Sequence, residues 1–283
     1  MKLFISALIV AAIALVVAAC GGIAFTVANI PALAGNFDRR ADLVYGTGER
    51  QRLDVYTPKN AFKRPIVVFW YGGGWESGRK SQYRFVGAAL ADAGYVAVLP
   101  DYRLYPDVKF PAFVQDGAAA LAWIVSHATE IGGDPARIFV AGHSAGAHLA
   151  AMLAYDRAQL ARVGLPPETV RGFIGLSGPY ALDPNTDTYR AIFGPPFALA
   201  DWQPVQKAGS GAPPALLLHG EADTVVDVSH AHKMAHALEA LGVPVTLRTY
   251  PQRGHRDSVA AFAAPAPHKL PVLAEIRRFI DAN

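Results

Sequence analysis

Cys20 is the only cysteine in this 283-residue chain, so no intrachain disulfide can form. Excess charge of either sign is also scarce. The formal net charge is +3, with no run of lysines and arginines to carry it, which argues against a nucleic-acid partner. No short-period repeat and no low-complexity segment occurs, which excludes a solenoid or a linker-like chain. Charged residues reach only 17% against 52% hydrophobic, the balance of a packed globule and not of a disordered chain. What the sequence does have is length enough for one sizeable α/β domain around a large core.

The N-terminus is strongly apolar. Met1-Lys2 precedes an uncharged stretch from Leu3 to Ala19 that reads as an export signal. It ends in Val17-Ala18-Ala19-Cys20, which resembles the lipobox of bacterial lipoproteins. The resemblance implies cleavage after residue 19, lipidation of Cys20 and an exported protein anchored to the membrane of the cell envelope. Two other readings stay open. Apolar character continues to Ala34, so residues 3–30 could remain as an uncleaved membrane helix, although Arg39-Arg40 would then draw the domain to the cytoplasmic side. Alternatively, Ala32-Leu33-Ala34 is an A-x-A site whose cleavage would release a soluble protein starting at Gly35. The expected division is a signal peptide at 1–19, a tether with little structure of its own at 20–41, and a catalytic domain at 42–283.

Beyond the tether the pattern alternates. Strands are predicted at 42–45, 51–56, 65–71, 95–100, 137–142, 172–177, 214–219 and 245–250. The later ones are continuous apolar runs, as expected of parallel strands buried on both faces. Helices are predicted near 80–93, 112–128, 145–155, 228–241 and 269–282, with Gly94 and Gly242 as C-terminal stops. Such alternation gives a mostly parallel sheet with helices on both faces, whose ligands bind beyond the carboxyl ends of the strands. The stretch from Gly178 to Gly209 is too short for a separate cap domain, so a minimal lid and an open pocket are expected.

Four motifs fall at those strand ends. Gly142-His143-Ser144-Ala145-Gly146 sits between an apolar run and a helix-like stretch, where a G-x-S-x-G turn projects its serine from a strained elbow. Tyr71-Gly72-Gly73-Gly74-Trp75 lies upstream; Asp223 follows the strand Ala215 to His219, and His255 follows Tyr250. The order glycine-rich loop, Ser, Asp, His is that of the α/β-hydrolases.

Ser144 is the candidate nucleophile, since a serine hydroxyl attacks at neutral pH only when an adjacent base removes its proton. Its bland alternative is a helix cap. His255 is the candidate base, on a glycine-preceded loop after the last core strand. His143 and His148 flank the elbow and fix its geometry, while His219 reads as a core residue with a satisfied hydrogen bond. His230, His232 and His236 share one helix, but no carboxylate or cysteine joins them at ligand spacing, so no metal is expected. His127 closes a helix and His268 sits by a proline in a loop. Asp223 is the candidate partner of His255. Its rival Asp227 precedes an apolar helical pattern, which a helix N-cap explains.

Backbone N–H groups of Gly73, Gly74 and Ala145 are the expected oxyanion hole, because glycines let the backbone approach a carbonyl oxygen closely. Asp101 and Arg103 are assigned to holding a loop together. Tyr71, Trp75, Tyr180 and Phe193 are candidates for lining the substrate pocket, with ordinary core as the alternative for each.

From about Val44 to Ile280 the chain resembles α/β-hydrolase carboxylesterases of the hormone-sensitive-lipase and feruloyl/acetylxylan-esterase-like group. The resemblance rests on Gln51-Arg52-Leu53-Asp54-Val55-Tyr56, Tyr71-Gly72-Gly73-Gly74-Trp75, Asp101-Tyr102-Arg103-Leu104, Phe110-Pro111-Ala112, Gly133-Asp134-Pro135 and Gly142-His143-Ser144-Ala145-Gly146-Ala147-His148. Kynurenine formamidases and prenylcysteine methylesterases look similar over the same region. The resemblance implies an eight-stranded hydrolase sheet, an acyl-serine mechanism on a small-molecule or polymer-borne ester, and no cofactor. Tyr71 stands where many relatives carry histidine, and His143 and Ala147 where hormone-sensitive lipases usually have Asp and Gly, which leaves the subfamily open. An arylformamidase-type amide hydrolase, acyl transfer to an alcohol, and a non-catalytic binding module on the same fold remain as alternatives.

Overall fold

The computed structural model describes residues 25–263 and 270–283. The signal segment, Cys20 and His268 therefore lie outside the described residues. The eight strands are β1 (Phe37–Val44), β2 (Arg52–Pro58), β3 (Arg64–Trp70), β4 (Val96–Pro100), β5 (Gly133–His143), β6 (Val170–Leu176), β7 (Ala215–Gly220) and β8 (Val245–Tyr250). They form one sheet in the order β1-β2-β4-β3-β5-β6-β7-β8. The pairs β1/β2 and β2/β4 are antiparallel, and every other pair is parallel.

Burial follows from composition. The apolar runs of β4 and β7 are buried at every position, which requires cover on both faces. Two helices supply it at the centre. Gly172 of β6 lies against Phe279 of the Val272–Ala282 helix, where an added Cβ would sit 2.8 Å from the ring. Its neighbour Phe173 meets Tyr155 of the Ala145–Tyr155 helix edge-on, with centroids 5.7 Å apart. Successive strand residues point to opposite faces, so these two helices sandwich the sheet.

The order β4-β3-β5 reverses the direction of winding at the centre of the sheet, the place where α/β folds open a crevice. Trp70, the last residue of β3, pairs with Gly142 near the end of β5. Register alone thus sets the Tyr71–Trp75 loop beside the Ser144 turn.

The predicted tether is corrected here. The sheet begins at Phe37, so β1 spans residues assigned to the tether, pairing Phe37 with Pro58 and Arg40 with Val55. Arg39 reaches Asp54, which is fully buried, at 2.6 Å. Further upstream, residues 25–28 form a helical turn and Pro31–Leu33 a 3-10 turn. Among the described residues, no helix is long and apolar enough to cross a membrane.

Candidate active site

Ser144 sits at φ 54° and ψ −124°, a conformation that costs a non-glycine residue on the order of 1–3 kcal/mol. The surrounding contacts hold it there. Its N–H donates to Leu176 O at 2.9 Å. A Cβ on Gly142 would meet Gly146 O at 2.3 Å, and one on Gly146 would meet Trp70 O at 2.1 Å. The glycines of the G-x-S-x-G turn are there because strand and helix backbones touch.

His255 places Nε2 at 2.9 Å from Ser144 Oγ and Nδ1 at 2.8 Å from Asp223 Oδ2. A carboxylate can only accept, so the ring proton sits on Nδ1 and Nε2 is left to accept the serine O–H. Asp223 is fixed from several sides. Its Oδ1 accepts the N–H groups of Val225 and Val226, each at 2.9 Å. Burial pushes its carboxyl up, but hydrogen bonds from His219, His255, Val226 and Val225 outweigh this and hold the pKa well below the ordinary carboxylate range. Asp223 is therefore an anion throughout the neutral pH range.

His219 carries more than its sequence position suggests. Its Nε2–H donates to Val226 O at 2.8 Å and also lies 3.2 Å from Asp223 Oδ2. A histidine at the end of a buried strand, four residues before the aspartate, is the only sequence signal for this role. Asp227 instead accepts the Ser229 N–H at 2.9 Å, at the start of the Ser229–Ala240 helix.

The glycine-rich loop turns tightly beside Ser144. Gly73 adopts φ +140° and Gly74 φ +62°, and a Cβ on Gly73 would strike Ser77 O at 2.1 Å. Gly73 O accepts the N–H groups of Glu76 and Ser77. Among the hydrogen bonds of the described residues, none uses the N–H of Gly73, Gly74 or Ala145, so all three remain available to an anionic oxygen. The loop is held from behind. Arg50 Nη2 donates to Tyr71 Oη at 2.9 Å and to Gly78 O at 2.7 Å, and its Nε donates to Tyr102 O at 2.8 Å. Tyr102 donates its hydroxyl to Tyr71 O at 2.9 Å. Arg50 went unnoticed in the sequence, since its partners lie 21 to 52 residues away.

A cavity of about 490 Å³ opens at Ser144 and His255. The four aromatic residues predicted to line it do not. Tyr71 is buried in a stack between Tyr83 and Tyr102, and Tyr180 is buried edge-on against Phe173. Trp75 and Phe193 meet edge-on at 4.7 Å, in a cluster that includes His148 and Phe113. They are core, and Trp75 anchors the end of the glycine-rich loop. The walls of the cavity come instead from Tyr83, Phe85, Val259 and Ala263, and from Phe25 and Ala28 upstream of the sheet. Among the described lining residues, none belongs to the 178–209 excursion. A second, more polar cavity of about 380 Å³, with Asp183, His230 and Lys233, shares Val225 with the first.

The other candidates resolve into scaffolding. His148 donates Nε2–H to Trp202 O at 2.7 Å. His127 stacks on Trp123, and His230 accepts the Ala181 N–H, while His232 and His236 are exposed. Among the described residues, no three potential ligands converge on a metal site. Asp101 and Arg103 both hold loops, but with different partners: Asp101 accepts the Lys80 N–H at 2.7 Å, and Arg103 clasps Asp116 at 2.7 Å.

The chain matches the family described as BD-FAE over residues 53–171 and the family described as serine hydrolase (FSH1) over residues 118–253. It is 34% identical over 226 residues to the carboxylesterase NlhH of Mycobacterium tuberculosis, covering 71% of this chain and 69% of the relative. Isoprenylcysteine alpha-carbonyl methylesterase ICME of Arabidopsis thaliana is 32% identical over 242 residues, covering 77% of this chain. The chain spans only 56% of that longer relative. Among solved structures, the apo form of Thermogutta terrifontis esterase 2 superposes with a TM-score of 0.74 at 26% identity, covering 87% of this chain and 94% of the esterase.

Proposed function

Because the chain belongs to the α/β-hydrolase carboxylesterases, we propose that it is a serine hydrolase that cleaves carboxylic esters through an acyl-enzyme on Ser144. The observation that carries this reading is the unbroken relay from Ser144 Oγ to His255 at 2.9 Å and on to Asp223 at 2.8 Å, at the mouth of an open cavity. Ser144 Oγ attacks the ester carbonyl as its proton passes to His255 Nε2. The Asp223 carboxylate stabilises the imidazolium. The negative charge that develops on the carbonyl oxygen meets the free N–H groups of Gly73, Gly74 and Ala145. His255 then gives its proton to the departing alkoxide. In the second half the same base takes a proton from water, which attacks the acyl-enzyme and releases the acid.

Hydrolysis of p-nitrophenyl butyrate by the full chain tests the reading. Ser144→Ala is expected to lower kcat by on the order of 10⁴–10⁶-fold while the thermal transition is preserved. A parallel assay on an N-formyl anilide separates ester from formamide hydrolysis. Equal turnover by the wild type and the alanine variant sinks the assignment of Ser144.

The domain is proposed to be exported and tethered to the membrane through a lipid on Cys20. Two observations support retention of the segment upstream of Gly35. Phe25 packs on Tyr83 with ring centroids 5.3 Å apart, and Asn29 binds Ser81 O and Gln82 O through Nδ2. Both contacts would be absent from a chain starting at Gly35. Metabolic labelling with an alkyne fatty acid tests this: Cys20→Ser should abolish the label, and a label that persists overturns the tether.

A further inference from the structure

One wall of the active-site cavity comes from outside the hydrolase sheet. Phe25 and Ala28 lie three residues apart in a helical turn, so they share a face, and both line the cavity. The next residue, Asn29, fixes that turn with one side chain used three ways. Its Nδ2 donates to Ser81 O at 3.1 Å and Gln82 O at 3.2 Å, and its Oδ1 accepts the Phe85 N–H at 2.9 Å. Those three backbone groups surround the start of the Arg84–Asp92 helix, which contributes Phe85 to the same cavity. Val225, Val259, Ala260 and Ala263 add to the apolar lining, and Ser77, Gln82 and Arg256 are among its polar members.

We propose that residues 25–29 are a substrate-binding wall, clipped shut by Asn29, that suits the cavity to esters carrying an extended apolar arm. The inference rests on the esterase reading above and adds to it the class of substrate. The cavity is within the size range of about 300–1,000 Å³ that encloses small ligands. An arm lying along Phe25, Ala28 and Tyr83 leaves water for an apolar surface, and each methylene so buried raises kcat/KM by about fourfold. Position along the chain agrees with this class. From Cys20 to Phe25 the extended chain spans at most about 18 Å, so a tether at Cys20 holds the cavity close to the bilayer, where apolar esters collect.

The test uses the full-length protein in detergent with two substrate series. One compares p-nitrophenyl decanoate with p-nitrophenyl butyrate; the other compares octyl acetate with ethyl acetate, so that an apolar arm on either side of the ester is read. The wild type should favour the long member of at least one series by tenfold or more in kcat/KM. Ala28→Trp fills the cavity and Asn29→Ala opens the clip, and each should cut that preference at least tenfold, mainly through KM for the long ester. If the tryptophan variant fails to fold, Asn29→Ala carries the test, with its folding read from the thermal transition. Preferences within twofold of wild type in folded variants, or a wild type with no preference, overturn the wall while leaving the esterase reading in place. A wild type inactive on all four esters takes down both.

Discussion

His143 donates its Nε2–H to the backbone carbonyl of His255 across 2.9 Å, so the residue before Ser144 holds the loop that carries His255. The two rings lie 4.8 Å apart. Burial, and then the nearby charge of His255, lower the His143 pKa to about 3, which keeps this imidazole a neutral donor at neutral pH. Its Nδ1 is buried with no hydrogen-bond partner among the described residues, next to the backbone of Gly72.

Replacing His143 by phenylalanine keeps a ring in the space and removes the donor. The His255 loop then loses its fixed distance to Ser144. A misplacement of about 1 Å can cost on the order of 100-fold in rate, so kcat on p-nitrophenyl butyrate should fall 10- to 100-fold with KM within about twofold. An unchanged kcat in a folded variant removes His143 from any positioning role.

Asp223 and Asp227 are separated by three residues and by their partners. Asp223→Asn should lower kcat by about 10⁴-fold, because the amide stabilises the wrong tautomer of His255. Asp227→Asn removes only an exposed charge, keeps an oxygen to accept the Ser229 N–H, and should turn over at close to the wild-type rate. Comparable losses in the two variants would contradict the assignment.

Arg50→Met removes the guanidinium that ties Tyr71, Gly78 and Tyr102 together behind the glycine-rich loop. The loop N–H groups then lose their aim at the developing oxyanion. Removing one such donor outright costs on the order of 10²–10³ in rate, so a loosened loop should cost 10- to 100-fold in kcat. Steady-state kinetics beside a thermal melt separate this from simple unfolding.

Acid should destabilise the fold through two buried histidines. Burial lowers His143 to about 3 and His148 to about 4, both far below their unfolded value of about 6.5. Between those limits the unfolded chain binds protons that the folded chain refuses, so stability is full above about pH 6.5 and is lost as pH falls. From pH 7 to pH 5 each histidine should remove about 2 kcal/mol. Asp223, held below its ordinary range, extends the loss at more acidic pH. Urea unfolding at both pH values measures the sum, and His148→Gln, which retains an N–H for Trp202 O, should remove about half of the pH dependence. The same pH dependence in that variant would show that other groups dominate.

Much of the arrangement was legible in the chain. The parallel strands announce themselves as apolar runs because they are buried on both faces, and β3, β5 and β7 fall within a few residues of their predicted spans. Edge strand β1 was partly lost, because Asp38, Arg39 and Arg40 read as tether when only one side of the strand is paired. Aromatic residues misled for a different reason. Trp75 and Phe193 have the composition of a pocket and the location of a core, and residue type does not tell these apart. Arg50 and His219 act through partners that only the folded chain brings near.

By itself, the sequence determined the elements and the local chemistry: the Ser144 turn, whose glycines mark backbone contact, and the glycine-rich loop, whose three glycines allow positive φ. These are short-range constraints, written in neighbouring residues. The tertiary structure decided the rest. It set His255 at 2.9 Å from Ser144 across 111 residues of chain, gave Asp223 its second histidine, and brought Phe25 and Ala28 over the cavity. Distances between remote residues follow from the register and packing of the whole sheet, and no local pattern encodes them.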